Sequence, residues 1–139
     1  MKALVLYYSR TGTTQKLAES IASALSCDSE AIMDREDRSG AWGYLKCGRE
    51  ATLRKRPAID PIKHDLSDYD IVLIGTPVWA FTMASPVRTL LTEYSFPAVA
   101  FFCTEGGSGH ARCFHAMEQL AGKRPKAVYA ATTLQVQKG

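Results

Sequence analysis

An apolar run, Ala3–Tyr8, passes without a break into a turn of hydroxyl and glycine residues, Ser9-Arg10-Thr11-Gly12-Thr13-Thr14, and from there into a helical pattern. A strand that is nearly all apolar must be covered on both faces, which points to a sheet sandwiched by helices. Over Thr13–Ser26, Leu17, Ile21 and Leu25 fall four apart with Ala18 and Ala22 beside them, so the helix carries one apolar stripe for that sheet. The turn has chemistry of its own. The first N–H groups of a helix lack intrahelical partners, and the macrodipole places partial positive charge on them. Hydroxyls of Ser9, Thr11, Thr13 and Thr14 add donors, and Gly12 permits a sharp bend, which suits the turn to an anion such as a phosphate.

Strand and helix signals then alternate along the chain, the signature of an α/β domain with a parallel sheet. A short strand is expected over Glu30–Met33, a charged loop over Asp34–Gly40 and a helix over Trp42–Lys55, weakened by Gly43 and Gly48. Pro57 and Pro61 make 57–61 an extended connection. Tyr69–Gly75 reads as the third strand, followed by a loop centred on Pro77–Thr82. Ser85-Pro86 reads as a helix start, with Ser as cap and Pro at the first helical position. Ala98–Cys103 is the fourth strand and Glu105–Gly109 a glycine-rich loop. His110–Ala121 is a helix with Phe114, Met117, Leu120 and Ala121 inward and Gly122 at its stop, and Ala127–Thr132 is the fifth strand. The whole, 1–139, reads as a single doubly wound domain. Ligands of such sheets bind beyond the carboxyl ends of the strands. The loops 9–14, 76–82 and 104–110 leave those ends and should converge.

Composition sets the limits. The 139 residues are 46% hydrophobic and 22% charged, ordinary for a globular chain, and the net charge of +3 is too small to argue for nucleic acid. No apolar run approaches the about 20 residues of a membrane helix, and the opening stretch reads as a first strand rather than a signal peptide. The four cysteines, Cys27, Cys47, Cys103 and Cys113, have no metal-site or C-x-x-C spacing and read as reduced, mostly buried thiols of a cytoplasmic protein; no metal site is expected. Gly12-Thr13-Thr14 lacks the Lys and the loop length of a nucleoside-triphosphate P-loop, and no G-x-G-x-x-G follows the first strand. Tyr7, Tyr8 and Ser9 stand where a phosphorylated receiver domain needs acids, and the turn has no nucleophilic Cys for a phosphatase.

Taken with its order, the phrase Ser9–Thr14, the run Tyr69–Gly75 followed by Thr76-Pro77-Val78-Trp79, and the segment Cys103-Thr104-Glu105-Gly106-Gly107 resemble flavodoxin and its relatives. The resemblance covers nearly the whole chain. It implies a flavodoxin-like five-stranded parallel sheet of order 2-1-3-4-5 in an αβα sandwich, and it implies flavin mononucleotide (FMN) as cofactor. Ser9, Arg10, Thr11, Gly12, Thr13 and Thr14 would hold the phosphate. Pro77, Val78, Trp79, Ala80 and Phe81 would form one wall of the ring pocket, and Thr104, Glu105, Gly106 and Gly107 the other. Trp79 reads as a stacking platform, with a core position as the alternative. Phe81 either packs under its loop or touches the ring, Arg10 either binds phosphate or faces solvent, and His110 either approaches the ring or is a plain surface residue. The flavin would carry the chemistry, and no side chain is read as a general acid or base.

Four departures shape the functional reading. Family electron carriers are strongly acidic, whereas this chain is basic, and 104–109 carries no aromatic residue to cover the outer ring face. Ala80 stands where carriers often have Gly, and a positive φ there costs an alanine roughly 1–2 kcal/mol. The pattern also stops over Leu134–Gly139, where a final helix should cover one sheet face; the bare strip is then expected to meet a second copy of the chain or to be closed by rearranged packing. The implied function is an FMN-binding redox protein passing electrons or hydride equivalents to a partner protein. The alternatives are an FMN-dependent NAD(P)H:quinone-type oxidoreductase and a flavin-free binding or assembly domain. The basic stretch Arg49–Arg56 reads as a solvated helix end or, alternatively, a docking patch for an acidic partner.

Overall fold

In the computed structural model, which describes residues 2–35 and 38–138, the sheet is built from β1 (Ala3–Tyr7), β2 (Asp28–Ala31), β3 (Ile71–Trp79), β5 (Ala98–Glu105) and β6 (Val128–Thr132). These run parallel in the order β2-β1-β3-β5-β6. A two-residue strand, β4 (Thr82–Met83), folds back antiparallel on the end of β3 and lies off this path. Counted without it, the order is the expected 2-1-3-4-5. The helices are α1 (Thr13–Leu25), α2 (Gly40–Thr52), α3 (Ser85–Glu93), α4 (His110–Ala121) and α5 (Thr133–Lys138).

Side-chain alternation along the central strands splits the core in two. Leu4, Leu6, Val72, Ile74, Val99 and Phe101 join one cluster with Val87, Leu90, Cys113 and Met117 of α3 and α4. Val5, Tyr7 and Phe102 face the other way, against Ala18 and Ala22 of α1. The second layer is the thinner one. A groove of about 380 Å³ stays open there, between Leu17 and Ile21 of α1 and Leu73, Phe102, Val128 and Tyr129 of the sheet. The expectation of a missing last helix is corrected in part: α5 exists, six residues long, packs on α1 and buries Val136, so it narrows the bare strip without covering it.

Several boundaries move. β2 begins at Asp28 rather than Glu30, because the left-handed cap at Ser26 (φ 51°) turns the chain straight into the register Leu4↔Asp28. Met33 therefore lies outside the strand and is exposed, and Asp34 bridges Ile59 instead. Of the charged loop over 34–40, Glu36 and Asp37 lie outside the described residues. β3 continues past Gly75 to Trp79 and β5 past Cys103 to Glu105, since their pairing extends to Pro77↔Thr104. Ser85 is not the cap of α3. Ala84 holds that position, Ser85 and Pro86 are the first two helical residues, and the Ser85 hydroxyl donates to Glu50 instead.

The two glycines of α2 have opposite meanings. A Cβ on Gly43 would lie 2.0 Å from the backbone oxygen of Arg38, whereas one on Gly48 would meet nothing within 4 Å. Gly43→Ala should therefore destabilise the fold by about 2 kcal/mol or more through overpacking against backbone. Gly48→Ala should stabilise it by about 0.5–1 kcal/mol through helix propensity. Urea denaturation of the two variants beside the parent checks both signs.

Candidate functional site

Two bonds and one close approach bring the three strand-end loops together. Tyr8, just past β1, donates its N–H to the Gly75 carbonyl of β3 at 3.1 Å. The hydroxyl of Thr14, in the first turn of α1, shares a proton with that of Thr104 near the end of β5 at 2.7 Å, both residues being buried. Gly109 (φ 111°) lies so near the β3–β4 hairpin that an added Cβ would come 3.0 Å from Val78 and 3.2 Å from the Phe81 ring. Only glycine meets both the left-handed backbone and that contact.

The turn 9–14 is preorganised. Ser9 Oγ accepts the N–H of Gly12 at 3.0 Å, and Gly12 takes φ 96° as the N-cap of α1, its carbonyl accepting the Lys16 N–H. Gly12 offers no capping side chain, and the first turn of α1 contains no acid, so the positive end of this helix is left open. Among the described residues, the hydroxyls of Thr11 and Thr13 have no partner. The matching end of α4 is closed: the buried Glu105 carboxylate accepts the His110 N–H at 3.0 Å and also meets its ring Nδ1 at 3.0 Å. His110 thus pairs with Glu105. An anion fits at α1 and would be repelled at α4.

Sequence expectation and structure part at several of these residues. Arg10 is tied to the loop before α2: its Nε–H and an Nη2–H donate to the carbonyls of Arg38 (2.7 Å) and Gly40 (2.8 Å), and its guanidinium lies 5.8 Å from the Tyr44 ring centre. Trp79 is 8% exposed, edge-on to Tyr8 at 5.6 Å with the Arg38 guanidinium 5.3 Å from its ring centre, a core position rather than an open platform. The aromatic ring the hairpin does present is Phe81, 51% exposed. Ala80 already has φ 50° and Phe81 φ 66°, so the positive φ that alanine was expected to resist is built into the resting turn. Thr104 and Glu105 lie in β5 rather than in a loop, while Gly106 and Gly107 are exposed and a Cβ there would meet open space. Pro77 and Val78 are half-buried on β3.

Beneath the hairpin lies a buried ionic cluster. Arg38, 4% exposed, bonds Asp34 Oδ2 through Nη2 (2.8 Å) and Nε (3.0 Å), and Glu50 Oε1 through Nη2 (2.9 Å); Ser85 Oγ donates to the same Glu50 oxygen at 2.9 Å. Burial works against the Glu50 charge, but the bonds from Arg38 and Ser85 more than offset it and hold the carboxyl below its ordinary value. Burial, then the Asp34 charge, pushes the Tyr8 phenol far above its ordinary range, so it stays protonated. Burial lifts the Cys103 thiol to about 12, which leaves it unreactive. The opposite charges of Asp34 and Arg38, four residues apart, were the available signal for this cluster.

A family model described as Flavodoxin matches residues 2–137. The flavoprotein of Lactobacillus acidophilus NCFM, solved in complex with FMN, is 31% identical with a TM-score of 0.79; 99% of this chain and 97% of that one are covered. Its apo form, solved by NMR, gives 30% identity and a TM-score of 0.68 over 94% and 91% of the two chains. A candidate flavoprotein of Bacteroides uniformis ATCC 8492 shares the fold at 24% identity and a TM-score of 0.82, covering 99% of this chain and 96% of that one.

The Glu50 pairing carries a pH signature. A carboxyl whose folded value lies below its ordinary 4.5 contributes full stability above that value and loses it as the pH falls through the folded one. Glu50→Gln should lower Tm at pH 7 and flatten the acid limb of the Tm–pH curve. The residual slope would come from Glu30, which its bonds to His64 and Lys63 hold low against the opposing effect of burial, and from Asp65, which its bonds from Ser67 hold low. Calorimetry from pH 3 to 7 on both proteins reads the difference.

Proposed function

The chain belongs to the flavodoxin family, and from that premise we propose that it is an FMN-binding redox protein. The observation that carries this reading is the uncapped, acid-free N-terminus of α1 behind the left-handed Gly12, tied through Thr14 to the end of β5. A phosphate there would receive the N–H groups of the first helical turn and the hydroxyls of Thr11 and Thr13, with Ser9 fixing the bend. The hairpin residues Pro77–Phe81 would border the ring on one side and Gly106 and Gly107 on the other, the glycines leaving room for backbone contact. Phe81 takes the stacking role first assigned to Trp79, while Trp79 supports the hairpin from below. A bound FMN supplies reversible one- or two-electron transfer. The protein's part is to hold it, to shield one face and to leave the other accessible.

Two observations favour a direct oxidoreductase over a carrier that depends on a separate reductase. The 106–108 loop is exposed and carries no aromatic lid, and the net charge is +3. An NAD(P)H:quinone-type activity of the FMN-loaded protein is accordingly the second reading. It is measured as loss of NADPH or NADH absorbance with a quinone acceptor and no added reductase. A carrier would show none.

Quenching of flavin fluorescence tests the cofactor. FMN should bind, and riboflavin, which lacks the phosphate, should bind on the order of 100-fold more weakly because two or three charge-assisted bonds are lost. Thr13→Ala should weaken FMN by about tenfold, one such bond, without a change in Tm. Equal affinity for FMN and riboflavin, or no quenching of either, would remove the phosphate assignment.

A further inference from the structure

Arg88 in α3 is 8% exposed, yet its Nε has no hydrogen-bond partner, and among the described residues the guanidinium makes one bond, from Nη2 to Thr82 Oγ1 at 3.1 Å. Arg38, the other buried arginine, shows how this fold normally satisfies such a group, with two carboxylates. Arg88 has no acid beside it. It lines a cleft of about 810 Å³ between the end of α2, the β3–β4 hairpin and α4, and the cleft's other polar walls include Arg54, Arg112 and His115. None of the described residues lining it is acidic. Burial, then the charges of Arg54 and Arg56, lowers the Arg88 guanidinium from its ordinary value, as expected of a cation with neighbours of like sign. A buried, uncompensated guanidinium is costly unless an anion meets it.

The lining also has an organic side. Ala80, Phe81, Ala111 and Leu120 contribute apolar wall, and the Arg112 guanidinium sits 5.5 Å from the Phe81 ring centre. The volume is that of a small-molecule site. Guanidinium groups match phosphate geometry, and an aromatic wall suits the remainder of a nucleotide. We propose that this cleft is a second binding site, for an organic phosphate of nucleotide size, whose phosphate oxygens meet Arg88 with Arg54 and Arg112 alongside. None of residues 9–14 lines it, so it is separate from the flavin phosphate site, while Ala80 and Phe81 form a wall common to the cleft and the proposed flavin ring site. A bare polyphosphate is the other source of the same oxygens.

Titration calorimetry of the whole chain, with and without FMN and at low ionic strength, uses ADP and inorganic pyrophosphate as probes. ADP should bind in both states, more weakly as salt rises, and pyrophosphate should bind about tenfold less tightly for want of the apolar wall. Arg88→Met and Arg112→Ala should each weaken ADP about tenfold or more, and Arg88→Met should leave FMN quenching unchanged. Arg88→Met removes an unpaired buried charge without leaving a cavity and should hold or raise Tm. Arg124→Ala, outside the cleft, should leave ADP binding unaltered. No heat with either probe to millimolar concentration, competition between ADP and FMN, equal affinity for ADP and pyrophosphate, or an equal loss in Arg124→Ala would each overturn the proposal. FMN quenching in the same samples reports the flavin assignment separately.

Discussion

The site side of this molecule depends on one buried guanidinium. Arg38 joins the strip after β2 to α2 through Asp34 and Glu50, and Glu50 in turn receives the Ser85 hydroxyl at the start of α3. Trp79, the last residue of β3, packs on the same guanidinium, and Gly43 lets the α2 backbone approach that of Arg38. Four segments distant in sequence thereby share one anchor. Its two acids outnumber its one base, so the cluster depends on its hydrogen bonds as much as on charge. Arg10 adds a second tie, from the phosphate turn to the carbonyls of Arg38 and Gly40. The cation that looked like a ligand for phosphate is better described as a strut.

The β3–β4 hairpin is where that anchoring is needed. A two-residue connection with positive φ at both positions is normally made by Asn-Gly, because L side chains resist the left-handed region. Here Ala80 and Phe81 occupy it, at a cost of roughly 1–2 kcal/mol each. Short pairing to β4, the bond from the Ala84 N–H to Thr76 Oγ1 at 2.9 Å and the burial of Trp79 hold the turn against that strain. The outcome is a turn that presents Phe81 outward beside Gly109.

Elements whose signal is local were legible in the chain. The apolar β1, the stripe of α1 and the span of α4 with its Gly122 stop (φ 67°) follow from periodicity and turn chemistry, and the strand order from the resemblance to flavodoxin. Strand ends were not, because pairing with a neighbour decides them: β3 and β5 lengthen each other through Pro77↔Thr104. The fate of aromatic and charged site residues was equally hidden. Trp79 and Phe81 have the same kind of sequence neighbourhood, and only the partner across space, Arg38 for one and Arg112 for the other, separates a core ring from a surface one. Glu105 looked like a loop residue and proved to end β5 and close the start of α4, because nothing in one chain's order shows that its carboxylate reaches the His110 N–H.

A net charge of +3 says less than where the charges stand. One arginine beside the hairpin is answered by two acids and the Cys47 sulfur, and another, Arg88, reaches the same hairpin through Thr82 while its Nε goes unanswered. Thr82 pairs with Trp79 across the turn, and Trp79 rests on Arg38, so the two guanidinium groups hold the hairpin from either side. Anything that bonds to Arg88 competes with, or reinforces, its bond to Thr82, and that bond lies next to the strained pair 80–81. The hairpin that borders the proposed flavin ring is therefore mechanically continuous with the arginine cleft. The two share the wall at Ala80 and Phe81, while none of residues 9–14 lines the cleft.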